Sequence, residues 1–125
     1  MPSYNRNFDP PAPALEIIIQ HPEAPTRAAS VTAQIDTAAD LSCIPLEKVA
    51  VLGLERAGTT LIAGYDGQPM TNVVYLVALR VEGYTLQRVR AIAVPDPMFV
   101  LGRNVLNHFT ITLRGKDQTF DIADP

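Results

Sequence analysis

Val31-Thr32-Ala33-Gln34-Ile35-Asp36-Thr37-Ala38-Ala39-Asp40-Leu41-Ser42 decides how this chain is read. The β-branched Val31, Thr32 and Ile35 favour an extended run, which stops at a carboxylate. A hydroxyl residue and two very small residues follow, so Asp36 sits on a tight loop at the end of a strand. Taken alone, an aspartate there is most often a turn former. A second stretch changes its weight: in Phe99-Val100-Leu101-Gly102-Arg103-Asn104-Val105-Leu106, a glycine and an arginine directly follow an apolar run.

Outward from these two stretches, turn residues divide the chain into short β-rich runs. Residues 15–20, with three consecutive isoleucines, predict a strand that His21-Pro22-Glu23-Ala24-Pro25 breaks. Residues 27–35 predict the strand that delivers Asp36. Residues 45–52 predict a short helix, with proline at its first position, apolar Leu46, Val49 and Leu52, and Gly53 as its stop. Residues 59–63 and 70–81 flank Gly64-Tyr65-Asp66-Gly67-Gln68-Pro69 and predict a hairpin. Glu82-Gly83-Tyr84 turns into a strand over 85–94, and Pro95-Asp96-Pro97 bounds a loop. Residues 105–109 predict a second short helix. Residues 110–113 and 119–122 predict a last hairpin around Arg114-Gly115-Lys116-Asp117. Many short strands with one or two small helices predict an all-β domain. Residues 1–14, with prolines at 2, 10, 11 and 13, read as an extended arm, which leaves 15–125 as the domain.

Composition narrows the function. A chain of 125 residues, 47% hydrophobic and 18% charged, suits one folded core. The net charge of -3 and the lack of a Lys/Arg stripe argue against nucleic-acid binding. No apolar run approaches the ~18 residues needed to cross a bilayer, so no membrane association is expected. The polar, proline-rich start is no secretory signal. These features point to a cytoplasmic protein, or one released from a larger polyprotein. Cys43 alone makes neither an internal disulfide nor a metal site, and His21 and His108 are far apart in sequence. No metal or cofactor is expected.

The two stretches, in this order and at this separation, resemble the core of retropepsin-like (retroviral-type) aspartic proteases, from the cellular, bacterial or retroelement branch. The resemblance covers residues 15–122 and implies a closed, barrel-like all-β protomer with a flap hairpin. It implies an aspartic endopeptidase that hydrolyses peptide bonds in peptide or protein substrates. Asp36 would be the catalytic acid, and a homodimer would supply the second one. In aspartic proteases, the type example of such pairing, two carboxylates about 3 Å apart share a proton because both cannot ionise. Thr37 would form the grip between the two loops, and small residues at 38 and 39 would leave room for substrate backbone. Asp40 would receive Arg103 in a bidentate pair, and Gly102 would let the following helix approach the loop.

By the same resemblance the flap is Leu61-Ile62-Ala63-Gly64-Tyr65-Asp66-Gly67. Tyr65 would either donate a hydrogen bond over substrate or cap a short flap. Gln34, Ala39, Leu41, Cys43, Ile62, Ala63, Gly64, Pro97, Met98 and Val100 would line a largely apolar substrate site. The terminal hairpin would contribute to the dimer interface. Position 38 carries alanine where the family most often has glycine, which a negative φ would accommodate. Two functional readings follow: an active endopeptidase, or a catalytically weak or inactive relative used for dimerisation or peptide binding.

Overall fold

The computed structural model describes residues 2–63 and 68–124. Nine strands and two short helices lie among them, in the order β1 (Ala14–His21), β2 (Ala24–Ile35), β3 (Ser42–Pro45), α1 (Leu46–Leu52), β4 (Arg56–Ala63), β5 (Pro69–Val81), β6 (Tyr84–Val94), β7 (Phe99–Leu101), α2 (Arg103–Leu106), β8 (Thr110–Arg114) and β9 (Thr119–Ala123). The all-β expectation holds.

Seven strands form one sheet in the order β1-β2-β7-β3-β6-β5-β4, and a β1–β5 pairing closes it on itself. Closure leaves β4 as an appendage. It pairs with the first half of β5, from Pro69 to Tyr75, while Ala78, Leu79 and Arg80 farther along β5 pair with β1. A closed barrel hides its edges, and alternation sends every second side chain inward. On β1, Ile17 and Ile19 are buried while Ile18 faces out; on β2, Val31, Ala33 and Ile35 point in. They meet Ile44, Val77, Leu79, Val81, Phe99 and Leu101 in one core.

Helix α1 closes one end of the barrel by burying Val49 and Leu52. Its stop is a Schellman turn. Gly53 has φ 64°, its N–H donates to the Ala50 carbonyl, and the Leu54 N–H donates to the Val49 carbonyl. Pro45 is the residue before the helix rather than its first turn. Helix α2 starts at Arg103, two residues before the predicted position, because Gly102 serves as its N-cap and accepts from Val105 and Leu106.

Strands β8 and β9 form a separate two-stranded sheet. Part of the N-terminal arm lies against it: Ser3 bridges Thr119, the Phe120 N–H donates to the Pro2 carbonyl, and the Tyr4 ring packs on Phe120. No helix among the described residues is long and apolar enough to cross a membrane.

Candidate active site

Three strands converge under Asp36. Strand β7 runs parallel to β2, with Gln34 opposite Val100 and Ile35 opposite Leu101, and antiparallel to β3 through Val100 and Cys43. Because Ile35, Ile44, Phe99 and Leu101 are buried in the core, alternation sends Gln34, Val100 and Cys43 to the opposite face as one half-buried row. Asp36 lies at the end of this row, itself half-buried.

The loop after Asp36 is fixed along its length. The Asp36 N–H donates to the Leu101 carbonyl at 3.1 Å, continuing the β2–β7 ladder by one residue. The Ala38 N–H donates to Asp36 Oδ1 at 3.0 Å and the Ala39 N–H to the Asp36 carbonyl at 3.3 Å. The carboxylate thus orients itself through its own turn. Arg103 holds the far side: its backbone N–H donates to the Ala39 carbonyl at 2.8 Å, and Nη1 donates to the Thr37 carbonyl at 2.9 Å. Its other arm, Nη2, pairs with the Asp40 carboxylate.

The expected two-point pairing of Arg103 with Asp40 is therefore divided. The Thr37 carbonyl faces the helix start and takes one of the two parallel N–H groups, so one guanidinium ties residues 37 and 40 together. The Asp40 side chain is 84% exposed, so its charge adds little stability and its value is in positioning.

Behind the loop is a polar network that sequence reading did not single out. Asn104 Oδ1 accepts from both the Ser42 N–H and the Ser42 hydroxyl at 2.9 Å, and Asn104 Nδ2 donates to the Arg90 carbonyl at 2.8 Å. Ser42 Oγ in turn accepts from the Gly102 N–H at 3.0 Å. Ser42 is fully buried, and its N–H and hydroxyl are both engaged. A hydroxyl between Leu41 and Cys43-Ile44, where the strand is otherwise apolar, is the one sequence signal for it.

Gly102 is where the two halves touch. A Cβ there would lie 2.6 Å from the Leu41 carbonyl carbon, 2.7 Å from its oxygen and 2.9 Å from the Ser42 nitrogen. All three are backbone atoms, so only glycine fits. Its φ of -87° is ordinary, and the requirement is steric closeness alone. At position 38 the backbone condition for alanine is met, since its φ is not positive. Positive φ at non-glycine residues is confined, among the described residues, to Glu82 and Gln118.

A cleft of about 650 Å³ opens beside this loop, between it and β4. Ala38, Ala39, Asp40, Leu41 and Cys43 form one wall, and Thr60 and Leu61 of β4 the other. Arg90 and Ile92 of β6, not foreseen from the sequence, complete it. Ala39, Leu41 and Cys43, expected to line a substrate site, are among the residues that line this cleft. Gln34 and Val100 occupy the adjoining row outside the cleft lining. Met98 donates its N–H to the Asp96 carboxylate, and Pro97 lines a different hollow with Leu46, Glu47 and Ala50 beside α1. The side chains of Ile62 and Ala63, and residues Gly64 and Tyr65, lie outside the described residues, as does the Asp66-Gly67 turn.

The Cys43 thiol is pushed above its ordinary pKa, first by burial and then by the negative charges of Asp36 and Asp96. The carboxylate of Asp36 is thus felt inside the cleft wall, while the thiol stays protonated. A neutral thiol next to carboxylates is a wall, not a nucleophile.

An acid loop at the end of one barrel strand, braced from behind by a Gly-Arg-Asn turn, defines a retropepsin-like fold. The fold is similar to the EIAV protease complexed with the inhibitor HBY-793, at TM-score 0.55 and 21% identity over 77% of this chain and 86% of that one. The Simian Foamy Virus (mac) protease compares at TM-score 0.57 and 20% identity, over 76% and 92%. A retropepsin-like aspartic protease from Rickettsia conorii compares at 0.53 and 15%, over 90% and 82%. No curated protein matches the chain in sequence. The chain belongs to the family described as "gag-polyprotein putative aspartyl protease", whose model matches residues 27–108.

Proposed function

We propose that the protein is a homodimeric aspartic endopeptidase with Asp36 as its catalytic residue. The observation that carries this is the fixed Asp36 loop at the edge of the cleft: the Asp36 N–H is anchored on Leu101, and backbone and guanidinium donors of Arg103 hold Ala39 and Thr37 just after it. A catalyst needs its reacting group pre-positioned, and this loop spends most of its polar groups on that.

The chain brings one such loop, so a two-fold axis supplies the second carboxylate. The ionised member of the pair takes a proton from a water, whose oxygen attacks the scissile carbonyl carbon. The protonated member polarises that carbonyl and then delivers a proton to the leaving amide nitrogen as the C–N bond breaks. The two acids titrate as a unit, with apparent values that belong to the pair. An extended peptide adds as a strand between the loop and β4, its main chain held by ladder-type bonds. Residues Gln34, Ala39, Leu41, Cys43, Ile62, Ala63, Gly64, Tyr65, Met98 and Val100 contribute its largely apolar bed. Thr37 grips the partner loop, and the segment 61–67 serves as the flap. Residues 15–125 are the protease domain, with 1–14 as its arm.

The test is cleavage of a peptide library by purified protein at acidic to mildly acidic pH. Asp36→Asn keeps the oxygen that accepts the Ala38 N–H, so it leaves the loop intact while removing the acid. We expect turnover to fall by at least about 10²–10⁴-fold. Specific activity should also drop on dilution as dimers dissociate. Cleavage unchanged by Asp36→Asn overturns the proposal.

A further inference from the structure

Arg90 stands in the cleft without a counter-ion. It is exposed on the outer face of β6, between buried Val89 and Ala91. Its backbone is pinned, because its carbonyl accepts from Asn104. Of the other carboxylate and guanidinium side chains lining the same hollows, Asp40 pairs with Arg103 and Arg88 reaches Glu23 at 3.4 Å. Among the described residues, no hydrogen bond or ion pair engages the Arg90 guanidinium.

Two hollows meet at this side chain. Arg90 and Leu41 line both the 650 Å³ cleft beside Asp36 and an adjoining hollow of about 340 Å³, which also holds Arg88, Asn104 and His108. A chain leaving the acid loop along this groove passes over Leu41, Ile92 and Leu61, which are apolar, and then reaches a basic end. A guanidinium on a fixed strand, uncompensated and facing a groove, is suited to a carboxylate that arrives with the ligand.

We infer that Arg90 is a specificity-determining residue, which makes the cleft prefer peptides with an acidic side chain a few residues from the bond that is cut. This rests on the endopeptidase reading and names its substrate class. The apolar floor positions the neighbouring side chains, and Arg90 selects by charge. Because the pair would be partly solvated, the preference is modest, about three- to fivefold, and weakens with salt.

The experiment profiles cleavage of a proteome-derived peptide library by mass spectrometry, for the wild type, Arg90→Gln and Arg90→Glu. Arg90 is exposed, so neither substitution should disturb folding. We expect Asp and Glu enriched about three- to fivefold at one position in the wild type. The enrichment should vanish in Arg90→Gln and give way to Lys and Arg in Arg90→Glu. A wild-type profile without acidic enrichment, or one that persists in Arg90→Gln, overturns the inference. If the wild type cleaves nothing, the endopeptidase reading fails separately. Capture of the same peptides on immobilised protein then decides: acidic peptides retained by the wild type and lost from Arg90→Gln uphold the role of Arg90, and equal retention removes it.

Discussion

On one side of the cleft, residues 36–42 accept hydrogen bonds from Arg103 and Gly102 and donate to Leu101 and Asn104. On the other, β4 joins the barrel through its ladder with β5, and the outward Leu61 and Met70 are 69% and 60% exposed. The first wall is over-determined by contacts from distant sequence, whereas the second is held by neighbours along one hairpin. Local stability follows such differences in burial and bonding. The side bearing the acid is built for fixed geometry, and the opposite side keeps apolar surface available for something to cover.

Substitutions on the two walls should therefore behave differently. The largest effect is expected for Gly102→Ala. Its methyl meets three backbone atoms of the Leu41–Ser42 peptide and cannot rotate away, which should cost about 3 kcal/mol by urea denaturation. An unchanged midpoint would show that the loop and α2 yield more easily than their contacts imply. Ser42→Ala should cost about 2 kcal/mol, because it leaves the buried Gly102 N–H without an acceptor. The loss should be accompanied by reduced turnover, as the loop is less well held. Leu61→Ser, on the opposite wall, should change folding stability by no more than ~0.5 kcal/mol while raising KM for apolar peptides. A stability loss as large as that of Ser42→Ala would erase the contrast.

The smallest effect concerns Cys43. Its folded pKa lies above the unfolded value, so the neutral thiol's contribution is complete below the unfolded pKa. It is lost as pH rises through the folded value, a window that opens from roughly pH 9 upward. Alkylation by iodoacetamide at pH 8 should be slower in the native protein than in urea. Equal rates would mean that neither burial nor the charges of Asp36 and Asp96 protect this thiol.

Much of this was legible from residue order. Isoleucines at 17–19, the Gly53 stop and the turn residues at 82–83 and 115–118 work locally, so the elements they delimit appear within a few residues of expectation. The Asp36 loop and the Gly102-Arg103 turn stand out by residue type, and the tie between Arg103 and the loop was expected from the family resemblance. Strands β3 and β7 were not anticipated, since four and three residues are too few to display a period of two. The roles of Ser42 and Asn104 were hidden for another reason. Each is defined by a partner 62 residues away, and the lone Ser42 hydroxyl in an apolar strand does not say where that partner lies. The predicted break at 21–25 shrank because Ala24 and Pro25 join β2 at its outer end, where a missing N–H is tolerated.

The placement of β7 also governs when the acid acquires its setting. This three-residue segment, inserted between β2 and β3, reaches back across 66 residues through Arg103 to the Thr37 carbonyl. During synthesis, Asp36 leaves the ribosome long before the piece that fixes it, so a nascent chain cut short of residue 99 carries the acid without its geometry. Such closure of a long loop is slow, on the order of milliseconds to seconds in all-β domains. The Asp36 loop thus reaches its fixed geometry only once residues 99–103 have been added, and a shorter nascent chain lacks that setting.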